Sequence, residues 1–195
     1  SREEVRPMLL NSSPDQIFIV DEAYVDFGGE SCIPLLKDFK NLVIVRTFSK
    51  SLCGAGQRLG YIVASPELVN VVTTVKNSVN HFPLDALAQV SGTAACKDIS
   101  YYVNTSKKVA EERDAFYNFL QEKEFYVIKS QTNFLFAKKD GIKGEDLYKS
   151  IKERGILIRH FNTPGIEDFV RITIGTKEQM QKLKAAFEDT LDTLK

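Results

Sequence analysis

The sequence predicts an α/β protein: part of a mostly parallel sheet with flanking helices over residues 1–99, then a smaller α+β domain over residues 100–195. Three observations carry this expectation. Three short apolar runs in the first third of the chain each end in polar residues, as strands of a buried parallel sheet do. From Pro66 onward, apolar residues recur at helical spacing. Beyond a long charged helix, the pattern alternates between strands and helices.

The elements follow in order. Ser1 and Glu4 fit a capping box, opening a helix that runs through Val5 to about Leu10. Asn11 to Asp15 is a turn cluster of Asn, Ser, Pro and Asp. Ile17–Val20, Leu42–Val45 and Tyr61–Ala64 are the three apolar runs, and the first reads as a strand buried on both faces. Leu68, Val71, Val72 and Val75 mark one helix, and Leu84, Leu87, Ala88 and Ala94-Ala95 another. The long helix is predicted over Ser100 to Lys123, with Val103, Val109, Ala110, Phe116 and Leu120 inward. Phe125–Ile128, Asn133–Ala137, Ile156–Arg159 and Phe169–Ile174 read as strands, and Glu145–Arg154 and Lys177–Leu194 as helices.

Composition narrows the function classes. With 43% hydrophobic and 27% charged residues the chain is ordinary for a globular protein, which argues against disorder. Basic and acidic residues balance at 26 each, without the basic stripe of a nucleic-acid binder. No apolar run approaches the length of a membrane span, and no signal peptide opens the sequence. Cys32, Cys53 and Cys96 are odd in number and irregularly spaced, so free thiols in a reducing cytoplasm are expected. Two distant histidines and no CxxC pair give no reason to expect a metal.

In open α/β sheets, ligands lie beyond the carboxyl ends of the strands, so chemistry is sought there first. Thr47-Phe48-Ser49-Lys50 follows the second run, and Arg58 comes eight positions after Lys50 within Gly54-Ala55-Gly56-Gln57-Arg58-Leu59-Gly60-Tyr61. A phosphorylated carbonyl cofactor needs this set. A lysine amine forms the Schiff base. An arginine offers a planar fork to phosphate. The Thr47 and Ser49 hydroxyls can add hydrogen bonds, and small residues allow close approach. The plain alternative is a surface lysine in a glycine-rich loop; the joint occurrence of these residues disfavours it. Asp21-Glu22-Ala23-Tyr24 ends the first run. An aspartate there can keep a pyridine nitrogen protonated and Tyr24 can bond a ring hydroxyl. The competing reading is a loop-capping aspartate and a core tyrosine.

With these motifs in place, the chain resembles the fold-type-I pyridoxal-phosphate aminotransferases, most nearly the histidinol-phosphate aminotransferase family. The resemblance rests on Phe18–Phe27, Val45–Tyr61, Thr132-Asn133-Phe134, Gly155–Arg159 and Val170–Thr176, and it covers essentially the whole chain. It implies pyridoxal 5'-phosphate as cofactor and Lys50 as the Schiff-base lysine. It assigns Asp21 to the pyridine nitrogen, Tyr24 to the ring hydroxyl, and Thr47, Ser49 and Arg58 to the phosphate. It gives Arg171 the anionic end of the substrate, such as the glutamate α-carboxylate, and Arg159 the phosphate of histidinol phosphate. For Arg159 a surface salt bridge is the rival reading. For Arg171 that rival is weaker, because a charge inside an apolar strand needs a partner. The implied reaction is amino transfer between histidinol phosphate and 2-oxoglutarate, in histidine biosynthesis, by a cytoplasmic homodimer.

Gln57 and Asn80–Asp85 depart from the family pattern, and these departures bear on substrate more than cofactor. An aromatic or other phosphorylated amine is the neighbouring substrate reading. The chain also opens just past the family's asparagine motif, without its early phosphate loop, its ring-stacking aromatic or its N-terminal arm. The expectation is a C-terminal piece of a longer enzyme, comprising half of the large domain and the small domain. By itself it is expected to be inactive, or to act only as a non-catalytic fragment.

Overall fold

A computed structural model describes residues 1–13 and 15–194. Pro14, within the turn predicted over Asn11 to Asp15, lies outside the described residues. Backbone contacts divide the chain into two compact units, Ser1–Ser106 and Lys107–Lys195.

The first unit opens with α1 (Arg2–Leu10), whose Ser1–Glu4 capping box forms. β1 (Phe18–Asp21), β2 (Leu42–Thr47) and β3 (Gly60–Ala64) make a sheet in that order. β1 and β2 run parallel, with Phe18 beside Leu42 and Val20 beside Ile44. β3 returns antiparallel, pairing Ile44 with Val63 and Thr47 with Gly60. Side chains alternate across a sheet, so Phe18, Val20, Leu42, Ile44 and Val63 share one face. That face packs against Val5 and Leu9 of α1 and against Leu35, whose short 3-10 turn spans Ile33–Lys37.

The expectation that the first apolar run is buried on both faces is corrected here. Ile17 and Ile19 are 55% and 64% exposed. The α1 layer covers the face of Phe18 and Val20, and none of the described residues covers the other face at Ile19.

α2 (Pro66–Val79) is capped by the Ser65 hydroxyl, which accepts from Leu68 N, with Pro66 at the first helical position. Its predicted apolar stripe is real but uncovered: no α2 residue is buried, and Val71, Val72, Val75 and Val79 stand exposed. α3 (Ala86–Lys97) starts at Asp85, whose carboxylate accepts from Ala88 N at 2.7 Å. Asp85, one of the departures from the family pattern, is thus a helix cap. α4 (Ile99–Glu122) crosses the division between the units. Of the inward positions expected on it, Phe116 and Leu120 are fully buried and Val109 and Ala110 half-buried. Val103 is 44% exposed, a further correction, because no described residue packs over that part of the helix closely enough to bury it.

The second unit is a four-stranded antiparallel sheet of β4 (Tyr126–Ile128), β5 (Phe134–Lys138), β6 (Arg159–His160) and β7 (Val170–Thr173), ordered β4-β5-β7-β6. α5 (Gly144–Glu153) and α6 (Lys177–Thr193) accompany it. One face, carrying Val127, Leu135, Ala137, Val170 and Ile172, is dry. It packs in one core with Phe116 and Leu120 of α4, Leu147 and Ile151 of α5, and Phe187 of α6. The strand expected over Ile156–Arg159 pairs only at Arg159–His160. Ile156 and Ile158 pack on the core without strand pairing. α6 begins with a second capping box, Thr176 with Gln179.

Candidate active site

Alternation along β1 and β2 sorts the residues at their carboxyl ends. Asp21, Val45 and Thr47 fall on one face; Val20, Ile44 and Arg46 fall on the other. Glu22, one residue past β1, still bonds Val45 O through its backbone N–H at 2.9 Å and continues the second set. Asp21 is exposed, and its Oδ1 accepts the Ala23 N–H at 2.9 Å. That bond caps the turn, as the competing reading expected, and leaves the second carboxylate oxygen available to a ligand.

The segment after β2 is a compact loop. Phe48 N donates to Leu59 O at 3.0 Å, and Gly54 N returns to Phe48 O at 2.8 Å. The buried Phe48 ring anchors it edge-on to Tyr61. Thr47 Oγ1 accepts from Ser49 N at 3.0 Å. Lys50, held half-buried in this loop, sets its Nζ 5.2 Å from the centroid of the Tyr24 ring. Among the described residues it has no carboxylate partner, so its amine is open to a carbonyl carbon.

Arg58 lies one residue beyond the last ladder bond, as Ser49 does on the other strand. Its φ of 53° is left-handed, a conformation costly for a side-chain-bearing residue, and Cys53 in the same loop has φ 55°. The Arg58 guanidinium is exposed and, among the described residues, donates only to Ala55 O, at 3.1 Å. The structure therefore places Asp21 and Thr47 at the carboxyl ends of β1 and β2, and Tyr24, Ser49, Lys50 and Arg58 on the loops that follow them.

In the second unit, Arg159 and Arg171 are direct cross-strand partners. Two like charges facing each other across a ladder are unfavourable unless something separates or neutralises them. Phe161 lies under both guanidiniums, 5.4 Å from that of Arg159 and 5.9 Å from that of Arg171. Phe134 lies 5.4 Å from the Arg171 guanidinium on the same strand-paired face. Among the described residues neither arginine forms an ion pair, and Arg171 Nε is buried without a hydrogen-bond partner. The rival reading of Arg159 as half of a surface salt bridge thus has no partner residue to support it. Each guanidinium offers its planar fork to a carboxylate or phosphate.

The sequence reading missed the support beneath the lysine loop. Glu22, nearly buried, accepts from Arg46 Nε at 3.0 Å and Nη2 at 2.8 Å, from Ser31 Oγ at 2.9 Å and from Cys32 N at 2.5 Å. Burial works against the Arg46 charge, but the Glu22 carboxylate outweighs it and holds the guanidinium above its ordinary pKa. Burial and the same carboxylate push the Cys32 thiol up. The signal available was positional: Glu22 and Arg46 are the sequence neighbours of Asp21 and Thr47.

The family model for "Aminotransferase class I and II" matches residues 1–187. The chain belongs to this aminotransferase family. The chain is 44% identical over 176 residues to a histidinol-phosphate aminotransferase of Syntrophus aciditrophicus, covering 90% of this chain and 49% of that protein. The histidinol-phosphate aminotransferase from Clostridium acetobutylicum superposes with a TM-score of 0.85 at 25% identity, covering 99% of this chain and 60% of that one. The enzyme from Sinorhizobium meliloti, solved in complex with pyridoxal-5'-phosphate, gives 0.80 at 24% identity, covering 100% and 54%. The chain thus spans about half the length of the curated relatives it matches. Its α/β architecture is that of fold-type-I enzymes. Among the described residues no helix is long and apolar enough to cross a membrane, and no three metal-binding side chains cluster.

Proposed function

We propose that the whole protein is a pyridoxal-phosphate-dependent aminotransferase that exchanges an amino group between histidinol phosphate and 2-oxoglutarate. The observation that carries this reading is the half-buried Lys50 amine, facing the Tyr24 ring and, among the described residues, without a carboxylate partner. Relatives at 42–44% identity that carry the histidinol-phosphate name support the substrate. On this reading Ser1–Ser106 is part of the large cofactor-binding domain and Lys107–Lys195 the small domain. We read the protein further as a cytoplasmic homodimer. The three free cysteines suit a reducing compartment, and the dimer follows from the family resemblance.

The residues present fit pyridoxal phosphate. An amine, a carboxylate with an oxygen to spare, a phenol and a hydroxyl-rich turn with an exposed arginine match its aldehyde, ring nitrogen, ring hydroxyl and phosphate in turn. When bound, the cofactor supplies an electron sink for the carbon that loses or gains the amino group. Lys50 would hold the cofactor through its carbonyl carbon, and its amine would serve as the base that moves the proton at the substrate α-carbon. The Asp21 carboxylate keeps the ring nitrogen protonated, and Tyr24 donates to the ring hydroxyl. Thr47, Ser49 and Arg58 grip the phosphate. Arg171 receives the α-carboxylate of glutamate, and Arg159 the phosphate of the amine substrate.

The test uses the full-length protein. With pyridoxal phosphate, glutamate and the imidazole ketone phosphate, formation of histidinol phosphate and 2-oxoglutarate is expected. Turnover of an aromatic amino acid in preference to the phosphorylated substrate would overturn the substrate assignment. Absence of cofactor uptake would overturn the reading altogether.

A further inference from the structure

The two loops that present Asp21 and Lys50 are joined by side chains none of which is assigned to the cofactor. Glu22 adjoins Asp21; Arg46 adjoins Thr47; Asp26 lies two residues after Tyr24; Ser51 adjoins Lys50. They form one connected chain. Glu22 Oε2 accepts from Arg46 Nε and Nη2 at 3.0 and 2.8 Å. Arg46 Nη2 also reaches Ser31 Oγ at 3.0 Å, and Ser31 returns to Glu22 at 2.9 Å. Arg46 Nη1 stands 3.7 Å from Asp26 Oδ1, and Asp26 Oδ2 accepts from Ser51 Oγ at 2.5 Å. Tyr61 lies beside Arg46 across the β2–β3 ladder.

Stability alone is a poor account of this arrangement. The Glu22 and Arg46 side chains are 4% and 19% exposed, and a desolvated ion pair adds little to stability over apolar residues of the same size. Its distinctive property is geometric. A charge-assisted fork fixes direction as well as distance, and each linked residue is a neighbour, or near neighbour, of a residue proposed to touch the cofactor. Strand alternation puts Glu22 and Arg46 on the face opposite Asp21 and Thr47, so the support lies behind the site and leaves the ligand side clear. Ser51 closes the chain. It is 5% exposed, and among the described residues its hydroxyl finds its side-chain partner in the Asp26 carboxylate.

We infer that Arg46, Asp26 and Ser51, anchored on Glu22, form a positioning unit that fixes the Lys50 loop against the Asp21–Tyr24 loop. The inference rests on the cofactor reading proposed above. The unit sets how far the Lys50 amine stands from the acid that protonates the ring, and thereby how tightly the cofactor is held and at what pH its bound form titrates. A misplacement of about an ångström in such a pair is enough to lower function substantially.

The experiment is Ser51→Ala in the full-length protein, with Asp26→Asn alongside. Ser51→Ala removes one hydroxyl, and water can replace its bond to the partly exposed Asp26, so the melting point of the cofactor-free protein is expected to stay unchanged. The dissociation constant for pyridoxal phosphate is expected to rise about tenfold, the scale of one charge-assisted hydrogen bond. The pH at which the bound cofactor's absorbance changes is expected to shift. Asp26→Asn keeps an acceptor for Ser51 and loses the charge facing Arg46; a shift in the same direction is expected. Unchanged affinity and an unchanged absorbance titration in both variants would overturn the inference, and so would a fall in melting point with both cofactor readouts intact. If the unsubstituted protein takes up no pyridoxal phosphate, the functional reading itself fails and carries this inference with it.

Discussion

Lys50 is one of many lysines in the chain, and what sets it apart is the combination of a loop closed on the end of β2, a facing aromatic ring and, among the described residues, no acidic partner. Borohydride reduction of the full-length, cofactor-loaded protein is expected to place the pyridoxyl label on the Lys50 peptide, and Lys50→Ala to abolish it. A label on another lysine would refute the assignment. The arginine pair invites a second comparison. Arg171→Lys keeps the charge and loses the fork, so the KM for glutamate is expected to rise about tenfold or more. Arg159→Ala is expected to raise the KM for histidinol phosphate more than that for glutamate; equal effects would make Arg159 structural. These residues were legible because each is chemically unusual for its place: a lysine among small residues, an arginine in an apolar strand. The Glu22–Arg46 pair was not, since in sequence it is merely the polar end of two strands and its partners Asp26 and Ser51 come from separate loops.

Element boundaries followed the chemistry that ends them. Ser65 with Pro66, Asp85, and Thr176 with Gln179 all cap helices where the sequence changes from extended to helical character. Thr176→Ala is expected to lower stability by about 1 kcal/mol, through loss of the bond from Gln179 N, as read by urea denaturation. Leu135→Ala, in the dry face of β5, removes a side chain that is 1% exposed and is expected to cost about 2–5 kcal/mol. If the two losses were equal, the second core would not be where this unit's stability resides. Strand limits were harder to read at Ile156–Arg159. Apolar character there reports burial on the core, while ladder pairing depends on how far β7 extends, which local sequence does not encode.

At the scale of the molecule, helical periodicity revealed that α2 is amphipathic without revealing whether anything covers it. The structure leaves every α2 residue at least partly exposed, whereas β5, β7 and α6 enclose a continuous core. Local opening follows buried contact, so amides of α2 in this 195-residue chain are expected to exchange with deuterium much faster than those of β5 and β7. Comparable protection would show that α2 is held by contacts the packing does not account for. The parallel β1–β2 pair was readable from its apolar runs, but the reversal of β3 was not, because strand direction is set by the path of the Phe48–Leu59 loop.

The cross-strand placement of Arg159 and Arg171 also affects how the protein should be handled. A folded state that brings two unneutralised guanidiniums together is favoured by any oxyanion that binds them and not the unfolded chain. Inorganic phosphate is then a stabiliser and a competitor at once. At a hundred times its dissociation constant it is expected to add about 2.7 kcal/mol to folding, visible as a rising melting point at constant ionic strength. The same buffer is expected to inflate the apparent KM for a phosphorylated substrate, so a storage condition chosen for longevity would mask the enzyme's affinity in the assay.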